Sequence, residues 1–89
     1  MYESSNVENV EKIIATSDFS ELRFTSLRDN KGKLVGVDIR QWYSTQKDPV
    51  KKPTQKGVRF KDETIVESVT AILKMLDKDT LDEVLKNLD

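Results

Sequence analysis

The chain has 89 residues with 15 Lys and Arg against 16 Asp and Glu, no cysteine, no histidine and three glycines. That length gives one domain with a small core, for which dimerisation is a natural support. The missing residue types exclude disulfides, thiolate metal sites and the commonest general base, and no apolar run reaches the roughly 20 residues of a membrane span. The N-terminus also lacks the basic-then-apolar form of a signal peptide. An intracellular protein without a membrane partner is expected, nuclear if eukaryotic and in the cytoplasm or nucleoid if bacterial or phage.

Residues 1–18 read as a polar tail and a short helix. Ser5 and Glu8 have capping-box spacing, and Val7, Val10, Ile13 and Ile14 fall on one helical stripe. Such a helix either docks on the core or serves as an arm for a partner. Residues 19–89 form the domain proper. From Phe19 the period changes to two: Leu22, Phe24 and Ser26 point one way, and Arg23, Thr25 and Leu27 the other.

Asp29-Asn30-Lys31-Gly32 supplies turn chemistry. The second strand, Lys33 to Tyr43, is rich in β-formers. Gly36 interrupts it as an expected bulge, which would place Val37, Ile39 and Tyr43 on one face. Pro49 and Pro53 bar a continuous central strand over 44–57. A loop, a short edge strand near Val50–Lys52 and a turn ending at Gly57 are expected there, before a last strand, Val58-Arg59-Phe60.

Asp62 is then the expected N-cap of a helix over 62–76, with Ile65, Val69, Ile72 and Leu76 on its apolar stripe. Thr80 and Glu83 cap a final helix over 80–88, with Leu81, Val84, Leu85 and Leu88 inward. The order is helix, three or four antiparallel strands, helix, short helix: an α+β fold, because the strands follow one another directly.

The net charge of −1 hides a segregation. Residues 19–61 carry +7, residues 1–18 carry −3 and residues 62–89 carry −5. A basic middle between acidic ends points to an anion-binding face. Catalysis has little to work with. No nucleophile and base can be paired without His or Cys, no phosphate-cradling Gly-rich motif is present, and no cofactor or metal is expected.

Single-strand binding needs a positive groove plus aromatic faces for bases. Arg23, Arg28, Lys31, Lys33, Arg40, Lys52 and Lys56 share the strand region with Phe24, Trp42 and Tyr43. The same residues also suit a different role, with lysines guarding strand edges and Phe24 and Trp42 packing in the core or a dimer contact.

The string R-F-T-S-L-R-D-N-K-G-K-L-V-G-V-D-I-R-Q-W-Y, residues 23–43, resembles the core of the positive cofactor 4 family of transcriptional coactivators. The family pattern there is R-Y-V-S-V-R-D-F-K-G-K, then D-I-R-E-Y-W. K-P-T-Q-K-G-V-R-F, residues 52–60, is similar to its K-P-G-R-K-G-I-S-L. The resemblance spans about Leu22 to Leu76. It implies a four-stranded antiparallel sheet backed by a helix, and a homodimer whose paired sheets hold single-stranded DNA, as in melted duplex.

Carried over by position, the DNA-contacting basic residues are Arg28, Lys31, Lys33, Arg40, Lys52 and Lys56. Tyr43 stands in place of a DNA-contacting Trp, beside Trp42. Ile65, Val69, Ile72 and Leu76 would supply core and dimer contact. Three departures stand out: Asn30 replaces a stacking Phe at the hairpin tip, Gly36 is an added residue, and Thr54-Gln55 replaces Gly-Arg. The expected function is non-catalytic capture of unpaired strands in transcription, replication or repair. The alternatives are an adaptor that recruits transcription or replication proteins through its acidic helices, and single-stranded RNA as the ligand.

Overall fold

The computed structural model describes residues 7–88. Four strands form one antiparallel meander in the order β1-β2-β3-β4: β1 (Val7–Ala15), β2 (Ser20–Arg28), β3 (Leu34–Tyr43) and β4 (Lys52–Lys61). Two helices follow, α1 (Asp62–Lys74) and α2 (Lys78–Asn87). The α+β class holds, with both helices after the sheet.

The expected N-terminal helix is instead β1, the edge strand beside β2. Its register slips between Val10 and Lys12. Val10 pairs with Thr25 and Ile13 with Arg23, so these two apolar residues share a face although three apart. That spacing imitates a helical stripe. Val7, Val10, Ile13 and Ile14 are all β-branched, which suits a strand better. Ser26 donates its hydroxyl hydrogen to Glu11, tying the bulge to β2. Ser5 of the expected capping box lies outside the described residues.

β2 and β3 follow the expected alternation. Leu27 pairs with Gly36 but Arg28 with Leu34, so the extra residue is Val35, one place before Gly36. Val37, Ile39 and Tyr43 do share a face, opposite Ser26, Phe24 and Ser20. β4 departs from expectation: it is one strand through Pro53 and Gly57 rather than a short edge strand, a turn and a second strand. Pro is tolerated because β4 is an edge of the sheet. The expected turn is a bulge in which Thr54, Gln55 and Lys56 stand opposite Gln41 alone, between the pairs Trp42–Pro53 and Arg40–Gly57.

α1 lies against β3 and β4. Its N-cap is Lys61 rather than Asp62, with no side-chain cap; Asp62 and Glu63 sit in the first turn, where negative charge suits the helix dipole. α2 is capped by Asp77 rather than Thr80: the Asp77 carboxylate accepts the Thr80 N–H at 2.7 Å. The Thr80 hydroxyl and, next to it, this N–H bond hold the Asp77 carboxyl below its usual range.

The register gives the sheet two different faces. One carries Leu22, Phe24, Val37, Ile39, Val58 and Phe60. The other carries Glu21, Arg23, Thr25, Asp38, Arg40, Trp42 and Arg59. Yet no apolar side chain is fully buried among the described residues. The accessible surface is 7136 Å², where a compact chain of this mass exposes about 5,300 Å². The radius of gyration, 15.3 Å, likewise exceeds the roughly 12 Å of a compact domain of this length.

Candidate nucleic-acid interface

At the β2–β3 hairpin the backbone is fixed by Asp29. Its Oδ1 accepts the N–H groups of Lys31 (2.9 Å) and Lys33 (3.0 Å), and its carbonyl accepts from Gly32 (3.0 Å). Gly32 takes the left-handed conformation, φ 84°, that glycine adopts without strain. The two backbone bonds hold the Asp29 carboxyl below its usual range, helped by the nearby charges of Lys33 and Lys31. Arg28 Nη1 donates to the Gly32 carbonyl at 3.2 Å. Lys31 and Lys33 are exposed at this tip, and among the described residues neither is in an ion pair. Asn30 is exposed there too.

The polar sheet face is built from cross-strand rows. Arg23 and Arg40 stand directly opposite one another, flanked by Glu21–Trp42 on one side and Thr25–Asp38–Arg59 on the other. Like charges so placed repel, and each arginine is compensated. Arg23 is bound by Glu21 and lies over the Trp42 ring at 4.0 Å from its centroid, a cation–π contact. Asp38 takes Arg40 in a fork, Nη2 to Oδ1 at 3.0 Å and Nε to Oδ2 at 3.2 Å, and also accepts from Arg59 Nε at 3.4 Å. The Asp38 carboxylate raises the Arg40 guanidinium pKa above its already high value.

The far end of β3 and β4 owes its shape to Gly57. A Cβ there would lie 2.7 Å from the Ile39 carbonyl oxygen and 2.9 Å from Arg40 Cα, so the two strands come together only with glycine. The adjoining bulge turns the Thr54 carbonyl to Arg40 Nη1 (2.9 Å), while the Thr54 hydroxyl donates to the Gln41 carbonyl (2.9 Å) and accepts from Lys56 N–H (3.1 Å). Lys56 projects from this bulge without an ion pair among the described residues. Lys52 meets Asp48 at 2.8 Å. That contact lowers the Asp48 carboxyl and raises the Lys52 ammonium. Tyr43, half exposed, opens onto a shallow hollow shared with Ser44, Asp48, Lys52 and Pro53.

The sequence candidates therefore fall into three groups. Arg28, Lys31 and Lys33 gather at the hairpin; Arg23, Arg40 and Trp42 share the polar face; Tyr43 pairs with Lys52 at the far end, on the opposite face by register, with Lys56 on the adjoining β4 bulge. Leu34 to Tyr43 spans roughly 30 Å at about 3.3 Å per residue, so hairpin and far end are not one site. Arg59 is a basic residue the sequence reasoning passed over. Its alternation against Val58 and Phe60 was legible, but its junction with Asp38 depends on the β3–β4 register. α1 ends at Lys74 rather than Leu76; Ile65 on the helix and Leu76 just past its end are half-buried, whereas Val69 and Ile72 are exposed.

Among the described residues no group of acidic side chains is placed to hold a metal ion, and no helix is long and apolar enough to cross a membrane. A family model described as Transcriptional Coactivator p15 (PC4) matches residues 17–67, which takes in β2, β3, β4 and the start of α1. No curated protein and no solved structure matches the chain.

Proposed function

The chain belongs to the transcriptional coactivator p15 (PC4) family, and from that premise we propose that it binds single-stranded DNA without catalysis and with little base discrimination. The observation that carries the reading is the segregated charge: a +7 centre that the fold spreads over the hairpin tip, the polar sheet face and the far end. Phosphates supply most of the affinity in such binding, and exposed rings stack on bases. Tyr43 is the stacking candidate. Trp42 has one face already taken by Arg23 and contributes through its other face or its edge. Asn30 leaves the hairpin tip without a ring.

The working unit in this reading is a homodimer. The excess surface, about 1,800 Å² per chain, is well above the roughly 800 Å² per partner that a standard interface buries. Ile65, Val69 and Ile72 on α1, with Leu76 just past its end, provide an apolar stripe for it. Two sheets brought together would hold two unpaired strands, as in melted duplex, in transcription or replication.

Sedimentation and a gel-shift titration with a 20-nucleotide oligo-dT strand test both parts. A mass of twice 10.2 kDa and a shifted strand are expected. A monomer that leaves the strand free contradicts the proposal. A second reading, recruitment of a basic protein partner, is favoured by the exposure of Leu85 on α2 and of Leu88 at its C-cap, beside the acidic Asp79, Asp82 and Glu83. Deleting residues 80–89 separates the two. Loss of dimer stability with unchanged partner binding makes α2 structural.

A further inference from the structure

We propose that Asp38 is a positioning residue for nucleic-acid binding, joining Arg40 and Arg59 into one phosphate-binding unit in which Arg59 touches the ligand directly. The inference rests on the single-strand reading above.

A carboxylate in the middle of a basic face invites the opposite view, that it merely cancels a charge the ligand would prefer to meet. The geometry argues otherwise. Asp38 is 7% exposed, so its charge is held away from solvent and needs partners. Both of its oxygens are occupied, one by Arg40 Nε and the other shared by Arg40 Nη2 and Arg59 Nε. Arg40 is held from a second side by the Thr54 carbonyl on Nη1. Three of its five N–H donors are thus committed to the protein.

Arg59 is fixed differently. Among the described residues only its Nε is engaged, at 3.4 Å, and its side chain is 52% exposed, which leaves the four N–H donors of its two terminal nitrogens for a ligand. With Nε turned to Asp38, the guanidinium presents its terminal edge outward, in the fork geometry that suits a phosphate. Less side-chain freedom is then lost on binding than for a lysine on a mobile stem. Asp38 also relieves the repulsion between Arg40 and Arg23, which the register sets face to face. Without it Arg40 would turn away from Arg23, and Arg59 would lose its anchor.

The two views differ in sign, so one substitution decides between them. Fluorescence anisotropy of a labelled 20-nucleotide oligo-dT strand over a salt series is measured for the full chain and its variants. Arg59→Gln is expected to weaken binding roughly tenfold and to lower the salt slope by about 0.7, the loss of one phosphate contact. Asp38→Asn, nearly isosteric, is expected to weaken binding several-fold with a shallower slope, although it adds net positive charge. In an Arg40→Gln/Arg59→Gln background the Asp38→Asn effect should vanish, because there is nothing left to position.

Tighter binding and a steeper slope for Asp38→Asn would overturn the proposal, as would an Arg59→Gln variant that binds like the parent. If circular dichroism shows Asp38→Asn unfolded, Arg59→Gln, altered at an exposed edge-strand position, decides alone. A parent chain that binds no strand removes the single-strand reading and this inference together. A parent that binds, with Arg59→Gln unaffected, removes only the inference.

Discussion

Replacing Gly57 by alanine should lower the melting temperature, and the structure sets the scale. The added methyl would sit 2.7 Å from the Ile39 carbonyl oxygen, 2.9 Å from Arg40 Cα and 3.0 Å from Arg40 Cβ. Two of these are backbone atoms of the neighbouring strand, so no rotamer change relieves the overlap and β4 must move off β3. Overpacking of this kind costs about 1–3 kcal/mol. For a domain of this size each kcal/mol shifts the midpoint by about 4–8 °C, so a drop between about 5 and 20 °C is expected. The assay is thermal unfolding by circular dichroism at one fixed protein concentration, since the midpoint of a dimer depends on concentration. Gly36→Ala is the internal comparison: its nearest contact is Leu27 Cδ1 at 2.9 Å, the end of a side chain that can turn aside, so its cost should be smaller. Gly32→Ala meets nothing within 4 Å and should cost only about 1–2 kcal/mol for its left-handed backbone. A Gly57→Ala midpoint equal to the parent's, or above that of Gly36→Ala, would refute the claim that close strand approach requires glycine at this position.

Lys52→Ala combined with Lys56→Ala should weaken strand binding uniformly across base sequences and lower the salt slope by about 1.4, two contacts at about 0.7 each; unchanged affinity in an anisotropy titration removes both from the interface. Tyr43→Ala should cost one stack, about 1–3 kcal/mol or roughly 5- to 150-fold, on single strands and less on duplex, and equal losses on both would argue against stacking. The Asp29 carboxyl is lowered on folding, so its contribution to stability is present above its unfolded value near 3.8 and is lost as pH falls through the folded value. Asp29→Asn keeps an acceptor for the Lys31 and Lys33 N–H groups without titrating. Urea unfolding between about pH 5 and pH 2 should therefore show a flatter decline for this variant than for the parent, and parallel curves would contradict the assignment. Ile72→Asp places a charge in the α1 apolar stripe and should give a monomer on sedimentation; a persistent dimer would place the contact elsewhere.

What the sequence disclosed depended on how local each feature was. The β2–β3 hairpin was legible because Asp29, Gly32 and the alternation from Leu22 to Tyr43 specify it within one stretch of chain. Both helices were legible from their stripes, with caps displaced by one to three residues because Lys61 and Asp77 precede the obvious capping signals. β1 was misread because its bulge puts Val10 and Ile13 three apart on one face. The β-branched character of its apolar residues and the need of β2 for an outer partner distinguish that pattern from a helix. β4 was misread at Pro53 and Gly57, whose turn character is overridden where an edge strand bulges against Gln41. At the site the residue types were visible but not their grouping. That Trp42 lies under Arg23, and that Asp38 joins Arg40 to Arg59, follows from cross-strand register, which no single segment encodes.

The most direct test of the central claim is a competition experiment. The full chain is bound to a labelled 20-nucleotide oligo-dT strand, and unlabelled oligo-dT, its duplex and the matching RNA are titrated in at several salt concentrations. The account predicts that the DNA single strand displaces the label at far lower concentration than duplex does, and that affinity falls as salt rises. Duplex competing as well as the single strand, or no labelled strand bound at low salt, would contradict it.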